Sequence, residues 1–485
     1  MTFSYHLSTR VACFELMTES RLCFLWLFLS CSFLTNAQQN SPLNLQEVEN
    51  YRNKALHFLI ENQIDSTISQ KQFRGEWYGT MELTDPYFFI GKKQKCKDSN
   101  GFTVSAIHNF LSEIYFLDTS LVALKPALNK AFREIQTYRN GQRFNFWKAL
   151  PPSRKLKLFN EPKPQPLVRR PTEYRLRSRF INNAANVPED ADDTALGNLA
   201  ALYHNQIFND TISLINSQEY DKYLDRNRRN RNWYNHLFVR YPNSGAFLTW
   251  HASEHSFRLL RIFSSFLNTF LIFIPGSTAR PRAYTPWIPF GANDVDVVVN
   301  ANVLTYLSVS NQLAASEGGR GSISYINWLL RQPKWTNNAV YYPNLYHVSY
   351  GVARAYRSVI DELKESSQTI LQYLLATQQP NGSYVSQSWL NDTDAIQSTA
   401  YALHALLDLK SAGFSVPDKN INDAISFLMS KAQSNITTLY WEGGIFFSGG
   451  TALRSILVWK SDAYTTALIA NSFTKYLIIS DLQQK

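Results

Sequence analysis

The stretch Lys54–Gly79, KALHFLIENQIDSTISQKQFRGEWYG, carries a pattern that returns along the chain. An amphipathic helix signal comes first, then a polar loop with Gln, Gly or Asn, then an aromatic residue near the loop's end. Ile370–Trp389 (ILQYLLATQQPNGSYVSQSW) and Ala424–Gly444 (AISFLMSKAQSNITTLYWEGG) repeat it, and Ala131–Trp147 and Ser322–Tyr342 are weaker copies. A recurring unit of this size cannot bury its own apolar face, so it reads as one element of a repeat architecture.

Each copy is followed by a second helix, beginning within Lys97–Leu111, Glu189–Asn205, Asn293–Leu307, Tyr341–Tyr356, Asn391–Leu407 and Lys460–Phe473. The bodies of these helices are rich in Ala, Ser, Thr and Val and poor in charge, the composition of a helix buried on all sides. Their partners, such as EVENYRNKALHFLIEN, carry Lys, Glu and Gln and so keep one face wet. Alternating wet and buried helices predict two concentric layers: an all-α fold, a single (α/α)6 toroid over residues 38–485. The third outer helix, near Asn216–Arg226, is the hardest to place.

Most of the buried helices open on acids or amides. Asp190, Asp192 and Asp193 open one, Asp294 and Asp296 another, Asp392 and Asp394 a third, and Asp462 the last. Any single one of these is most simply an N-cap, where a carboxylate accepts from free backbone N–H groups at the positive end of the helix. Taken together, on parallel inner helices, they converge on one mouth of the barrel. Asn300 and Asn302 lie further inside their helix, where capping does not account for a polar side chain. The whole set is a candidate substrate rim, to which Tyr346 and His347 at the fourth opening, Trp389 and Trp441 are added. A core histidine satisfied by its neighbours is an equal reading of His347.

The DADDTA motif, Asp190–Ala195, and the helix–loop–aromatic repeats resemble those of the class II terpene cyclases, such as squalene–hopene cyclase. These belong to the α/α-toroid superfamily that also holds the protein prenyltransferases. The likeness spans roughly Asn44–Ile479. It implies that Asp192 is a general acid that protonates an alkene or epoxide, with Asp190 and Asp193 polarising it. The chemistry is coherent, since clustered carboxylates cannot all ionise cheaply and one keeps its proton. The carbocation that follows needs aromatic faces. Candidates are Trp250, Trp287, Tyr346, Trp389, Tyr401, Trp441 and Tyr464. The chain departs from the resemblance in three respects. It has room for one toroid where squalene–hopene cyclases use two, it lacks the Asp, Cys and His zinc set of the prenyltransferases, and it has no DDxxD magnesium motif. No metal and no organic cofactor is therefore expected. The reading is an isomerase-type enzyme acting on a small apolar isoprenoid. Two alternatives stay open: a carbohydrate-active protein using the same rim on a glycan substrate, and a non-catalytic binding toroid of the cell envelope.

The remaining features bound these readings. Net charge is +10, but the basic residues are scattered and no recognition module accompanies them, which argues against nucleic acid. Met17–Ala37 joins Arg21 to a short apolar run and small residues at a cleavage position. Residues 1–37 are thus expected to be a signal peptide, its true start at Met1 or Met17, and the protein secreted or periplasmic. Three of four cysteines fall in that segment, which leaves Cys96 without a disulfide partner in the mature chain. His251-Ala-Ser-Glu-His255 has the H-x-x-E-H spacing of a zinc peptidase without a third ligand, so a polar helix surface is the simpler reading. Leu259–Gly276 is the most apolar run after the signal segment. Arg261 interrupts it, so it reads as a buried helix or as a peripheral membrane contact rather than a span.

Overall fold

The computed structural model describes residues 43–67, 72–83, 95–151, 167–172, 187–227, 244–251, 294–387, 390, 393–449 and 457–484. Among these residues, outer and inner helices alternate along the chain. The outer ones are α1 (Leu45–Glu61), α3 (Leu124–Ile135), α5 (Ser217–Asp221), α7 (Glu317–Leu330), α9 (Lys364–Thr377) and α11 (Asp418–Ser430). The inner ones are α2 (Gly101–Leu117), α4 (Ala191–Phe208), α6 (Val297–Val309), α8 (His347–Arg357), α10 (Asp394–Ser411) and α12 (Asp462–Gln484). Helix α2 packs on α4, α4 on α6, α6 on α8, α8 on α10, α10 on α12, and α12 back on α2, which closes a ring. Outside it, α1 leans on α12, α3 on α2 and α4, α7 on α6, α9 on α8 and α10, and α11 on α10. The expected α/α toroid is the fold.

The two layers follow from composition. In α6, Val297 through Leu307 are buried without interruption, which only a helix with neighbours on every side achieves. In α3 the buried residues Leu124, Ala127, Leu128, Ala131, Phe132 and Ile135 recur at helical spacing and leave one face to water. Burying a Leu or Ile on such a stripe contributes about 1.5–3 kcal/mol. Helix α5, at the difficult third position, is a short segment of five residues.

The polar loops of the repeat are fasteners between units. Gln63 Nε2 donates to the Gly75 carbonyl and to the Ala127 carbonyl of the next outer helix, both at 2.9 Å. Gln378 does the same to Gly382 at 3.1 Å and Asn420 at 2.8 Å. Gly75 sits at φ +103°, and a Cβ there would stand 2.2 Å from the Lys130 carbonyl oxygen, so no other residue fits without a shift. The loop aromatics finish the same joints: Trp77 Nε1 donates to the Leu59 carbonyl and Trp441 Nε1 to the Leu428 carbonyl, each at 2.7 Å.

Besides three two-residue strand pairs in the loops, a larger sheet departs from the all-helical expectation. Strands β1 (Gly79–Leu83), β2 (Lys95–Asp98), β3 (Ile445–Gly449) and β4 (Leu457–Lys460) form an antiparallel sheet in the order β2-β1-β4-β3. Met81 lies opposite Trp459, so the first and last loops of the toroid are hydrogen-bonded where α12 meets α2. Strands of four or five residues inside loops are too short to override a helical repeat signal.

Candidate active site

The inner helices run in the same direction. Asp192, in the first turn of α4, meets Asn302 of α6, and Phe102 of α2 lies against Tyr464 of α12. Near their other ends, Arg354 of α8 pairs with Glu113 of α2 at 2.6 Å, and Asn471 of α12 donates to the same carboxylate at 2.9 Å. All the inner N-termini therefore share one mouth, and a buried charge network closes the opposite end. There Lys475 donates to Asp408 at 2.6 Å and lies 3.1 Å from His404 Nε2. Burial alone would raise the Glu113 carboxyl, but Arg354 and its cationic neighbours outweigh it and hold the group down at about 2.

At the mouth, Asp190 is the N-cap of α4, and its Oδ1 accepts from the Asp193 backbone N–H at 2.7 Å. Asp192 is 5% exposed. Its Oδ1 accepts from Asn302 Nδ2 at 2.8 Å, and its Oδ2 accepts from the Tyr342 hydroxyl. Burial raises the Asp192 carboxyl well above the ordinary carboxylate range, and the nearby Asp190 charge adds to it. Asp193 is raised for the same two reasons, and its Oδ1 is buried without a hydrogen-bond partner. Asp190 is pushed up to about 6 by burial, against the hydrogen bonds it accepts from Asp193. The cluster is thus a set of carboxyls that hold protons more tightly than water-exposed ones would.

The next inner helix brings its own residues beside this cluster. Asp296 caps α6 through the Val298 and Val299 N–H groups at 2.7 and 3.2 Å, and its second oxygen accepts from the Val340 and Tyr341 N–H groups. Burial lifts it to about 6 in spite of these donors. Asp294 accepts from the Tyr341 hydroxyl at 2.6 Å, and that hydroxyl accepts from Trp250 Nε1 at 3.1 Å. Asn300 holds the loop before it: its amide donates to the Phe247 carbonyl at 3.1 Å and accepts from the Phe247 N–H at 2.9 Å. Asn302 is the amide of this pair that reaches a carboxyl.

Tyr342 connects the acid to a continuous aromatic cluster. Its ring centroid is 4.3 Å from His347, 5.7 Å from Phe447 and 6.1 Å from Phe102. Phe102 stacks on Phe446, and Phe446 on Tyr464 at 4.4 Å. Tyr464 and Tyr401 share a hydrogen bond at 3.1 Å. Other candidates lie apart from this cluster. Tyr346 turns to Tyr373 and Tyr384, Trp441 packs on Phe473, and Asp394 is engaged by Asn344, Ser398 and the Ser386 N–H. Asp462 is exposed and accepts from the Gly443 N–H at 2.7 Å. His251 stacks on Tyr223 at 4.9 Å. Trp287, Trp389, Asp392, Glu254, His255, the run Leu259–Gly276 and the segment 1–37 lie outside the described residues. Among the described residues no group of His, Cys, Asp and Glu is arranged to hold a metal ion, and no helix is long and apolar enough to cross a membrane.

Sequence reasoning did not single out Tyr342, Tyr341, Phe446 or Phe447. The two tyrosines begin YYPNLYHVSYG, directly ahead of an inner helix, and that position was their available signal.

No family model and no curated protein matches the sequence. Solved structures do match in fold. One is a variant of the type II terpene cyclase MstE from Scytonema in complex with its substrate geranylgeranyl dihydroxybenzoate: 12% identity, 89% of this chain and 98% of that one, TM-score 0.50. A second variant of that enzyme, without ligand, matches at 13% identity with coverage of 89% and 98% and TM-score 0.50. Cellobiose 2-epimerase from Bacillus thermoamylovorans matches at 12% identity, 89% and 99% coverage and TM-score 0.47. At such identity the likeness to the terpene cyclases shows the toroid fold alone.

Proposed function

We propose that this chain is a class II-type cyclase in which Asp192 protonates an alkene or epoxide of an apolar isoprenoid substrate. The observation that carries the reading is the setting of Asp192: a buried carboxyl whose hold on its proton is raised, with one donor on each oxygen and an aromatic cluster continuous with one of those donors. A proton donor to carbon must keep its proton at neutral pH and yet release it as an anion. Burial and Asp190 do the first. Asn302 Nδ2 and the Tyr342 hydroxyl do the second, because hydrogen bonds to the departing carboxylate are stronger than those to the neutral acid. Asp190, fixed by its capping bond, and Asp193 set the local field. The rings of Phe102, Phe447 and Tyr464 supply faces that attract a carbocation. The net reaction is an isomerisation and calls for no redox group.

The test is incubation in D2O with geranylgeranyl dihydroxybenzoate and with other polyprenyl alkenes. The expected product is a cyclic isomer carrying one solvent deuterium, absent with Asp192→Asn. Deuterium uptake and cyclisation that survive in that variant would sink the assignment. In this proposal Met17–Ala37 is a signal peptide and the enzyme works outside the cytoplasm. N-terminal sequencing should find a mature chain starting near Gln38, and a chain recovered whole from the cytoplasm refutes export.

A further inference from the structure

We propose that His347 is the base that ends the reaction, taking a proton from the last carbocation; this rests on the acid role of Asp192. The acid cluster starts such a reaction, and its Asp190 and Asp192 oxygens are taken by hydrogen-bond donors. His347 is the first residue of inner helix α8 and is buried. Its ring lies between those of Tyr342 and Tyr401, each 4.3 Å away, with Tyr350 at 5.6 Å. Tyr342 is the residue whose hydroxyl reaches Asp192. Acid and imidazole are thus separated by a single aromatic ring.

Two features of the imidazole go beyond packing. Nδ1 is buried and has no hydrogen-bond partner. A buried polar atom left unpaired is costly and calls for an explanation. With the ring proton on Nε2, the Nδ1 lone pair is free. Burial also holds the ring neutral, its pKa lowered to about 3, so the accepting form is present at every physiological pH. A base this weak cannot take a proton from an ordinary C–H bond. A C–H bond beside a carbocation is far more acidic, and there a weak, dry base suffices. Three tyrosine rings around the imidazole offset part of the cost that burial places on the imidazolium.

The electron count closes. Asp192 transfers its proton to an alkene carbon, and the π pair forms the new C–H bond and leaves a cation. Each further alkene π pair forms a ring C–C bond and moves the cation onward. The Nδ1 lone pair takes a proton from the carbon next to the last cation, and that C–H pair becomes the product double bond. Asp192 is left as carboxylate and His347 as imidazolium, and one proton lost and one gained through solvent after product release restore both.

The experiment compares the parent protein with His347→Phe and His347→Gln in D2O, with geranylgeranyl dihydroxybenzoate and related polyprenyl alkenes as probes. Products are read by mass spectrometry and NMR, and thermal midpoints check folding. The glutamine variant carries the test if phenylalanine does not fold. Both variants should keep deuterium uptake, because initiation is untouched. The parent alkene should fall about tenfold or more in favour of water-quenched alcohols or a mixture of alkenes. The same alkene formed at the same rate overturns the base while leaving the acid standing. No conversion by the parent protein overturns both, since there is then no cation to quench.

Discussion

Replacing Asp192 by Asn should make the protein more stable, and the gain should depend on pH in a way that reports the acid's proton. The side chain is almost fully buried and holds its proton above the ordinary carboxylate range. A carboxyl of this kind binds more protons folded than unfolded, so stability falls as pH rises from the unfolded pKa of about 3.9 toward the raised folded value. Each pH unit in that window costs about 1.4 kcal/mol. Asparagine escapes it and keeps the bonding, since its carbonyl oxygen accepts from Asn302 Nδ2 and its amide donates to the Tyr342 hydroxyl oxygen. For the unit Leu45–Lys485, of about 440 residues, the unfolding entropy is near 0.9 kcal/mol per degree, so the variant's midpoint should gain on the parent's by about 1.5 °C per pH unit in that window. Near pH 4 parent and variant should melt together, because the unfolded acid is then protonated too. Calorimetry or circular dichroism melts at half-unit steps from pH 4 to 7 measure the difference, in which buried acids remote from Asp192 cancel. A difference that is flat with pH, or a variant less stable at pH 7, refutes the protonated acid.

Tyr342→Phe removes one donor from the Asp192 carboxylate and keeps the ring against His347 and Phe447. Its midpoint should stay near the parent's while deuterium incorporation slows by about 10- to 1000-fold, and an unchanged rate would show that the hydroxyl does not support the acid. Arg354→Met leaves Glu113 buried without its cation, and a loss of about 3–5 kcal/mol in denaturant titration is expected. Val359 is β-branched, exposed and at φ +75°; Val359→Gly should relieve about 1 kcal/mol or more of strain, and a lower midpoint would show the conformation to be unstrained.

The toroid was legible because its grammar is local. A buried inner helix must be apolar around its whole circumference, as Val297–Leu307 is, and an outer one must keep a wet face, as Leu124–Ile135 does. The acids at the inner openings were legible for the same reason, since capping follows helix starts. The partners of the acid were not. Tyr342 lies 150 positions from Asp192 and Asn302 lies 110 away, and only closure of the ring brings them to one carboxyl. The sheet was hidden too, because β1 and β4 pair across most of the chain and neither is long enough to be read alone.

The same closure explains why neighbouring polar residues have such different surroundings. Asn300 and Asn302 are two positions apart on α6, yet a helix turns by about 200° over that interval. Asn300 consequently faces the loop at Phe247 and the outer-layer Ser322, where its amide bonds are all structural. Asn302 faces across to α4 and meets Asp192. Asp294 and Asp296 divide in a similar way: one accepts from the tyrosine and threonine hydroxyls at the mouth, the other is consumed by backbone N–H groups. A row of acids and amides that looks uniform in sequence therefore separates into carboxyls held by backbone N–H groups or nearby hydroxyls and one, Asp192, held by side chains from two other units of the ring. The burial that raises Asp192 is the same burial that makes those two donors effective, because hydrogen bonds to a charge are stronger where the surroundings screen it less. An acid exposed at the rim would ionise and could not protonate carbon, and a buried acid without Asn302 and Tyr342 would hold its proton too tightly to give it up.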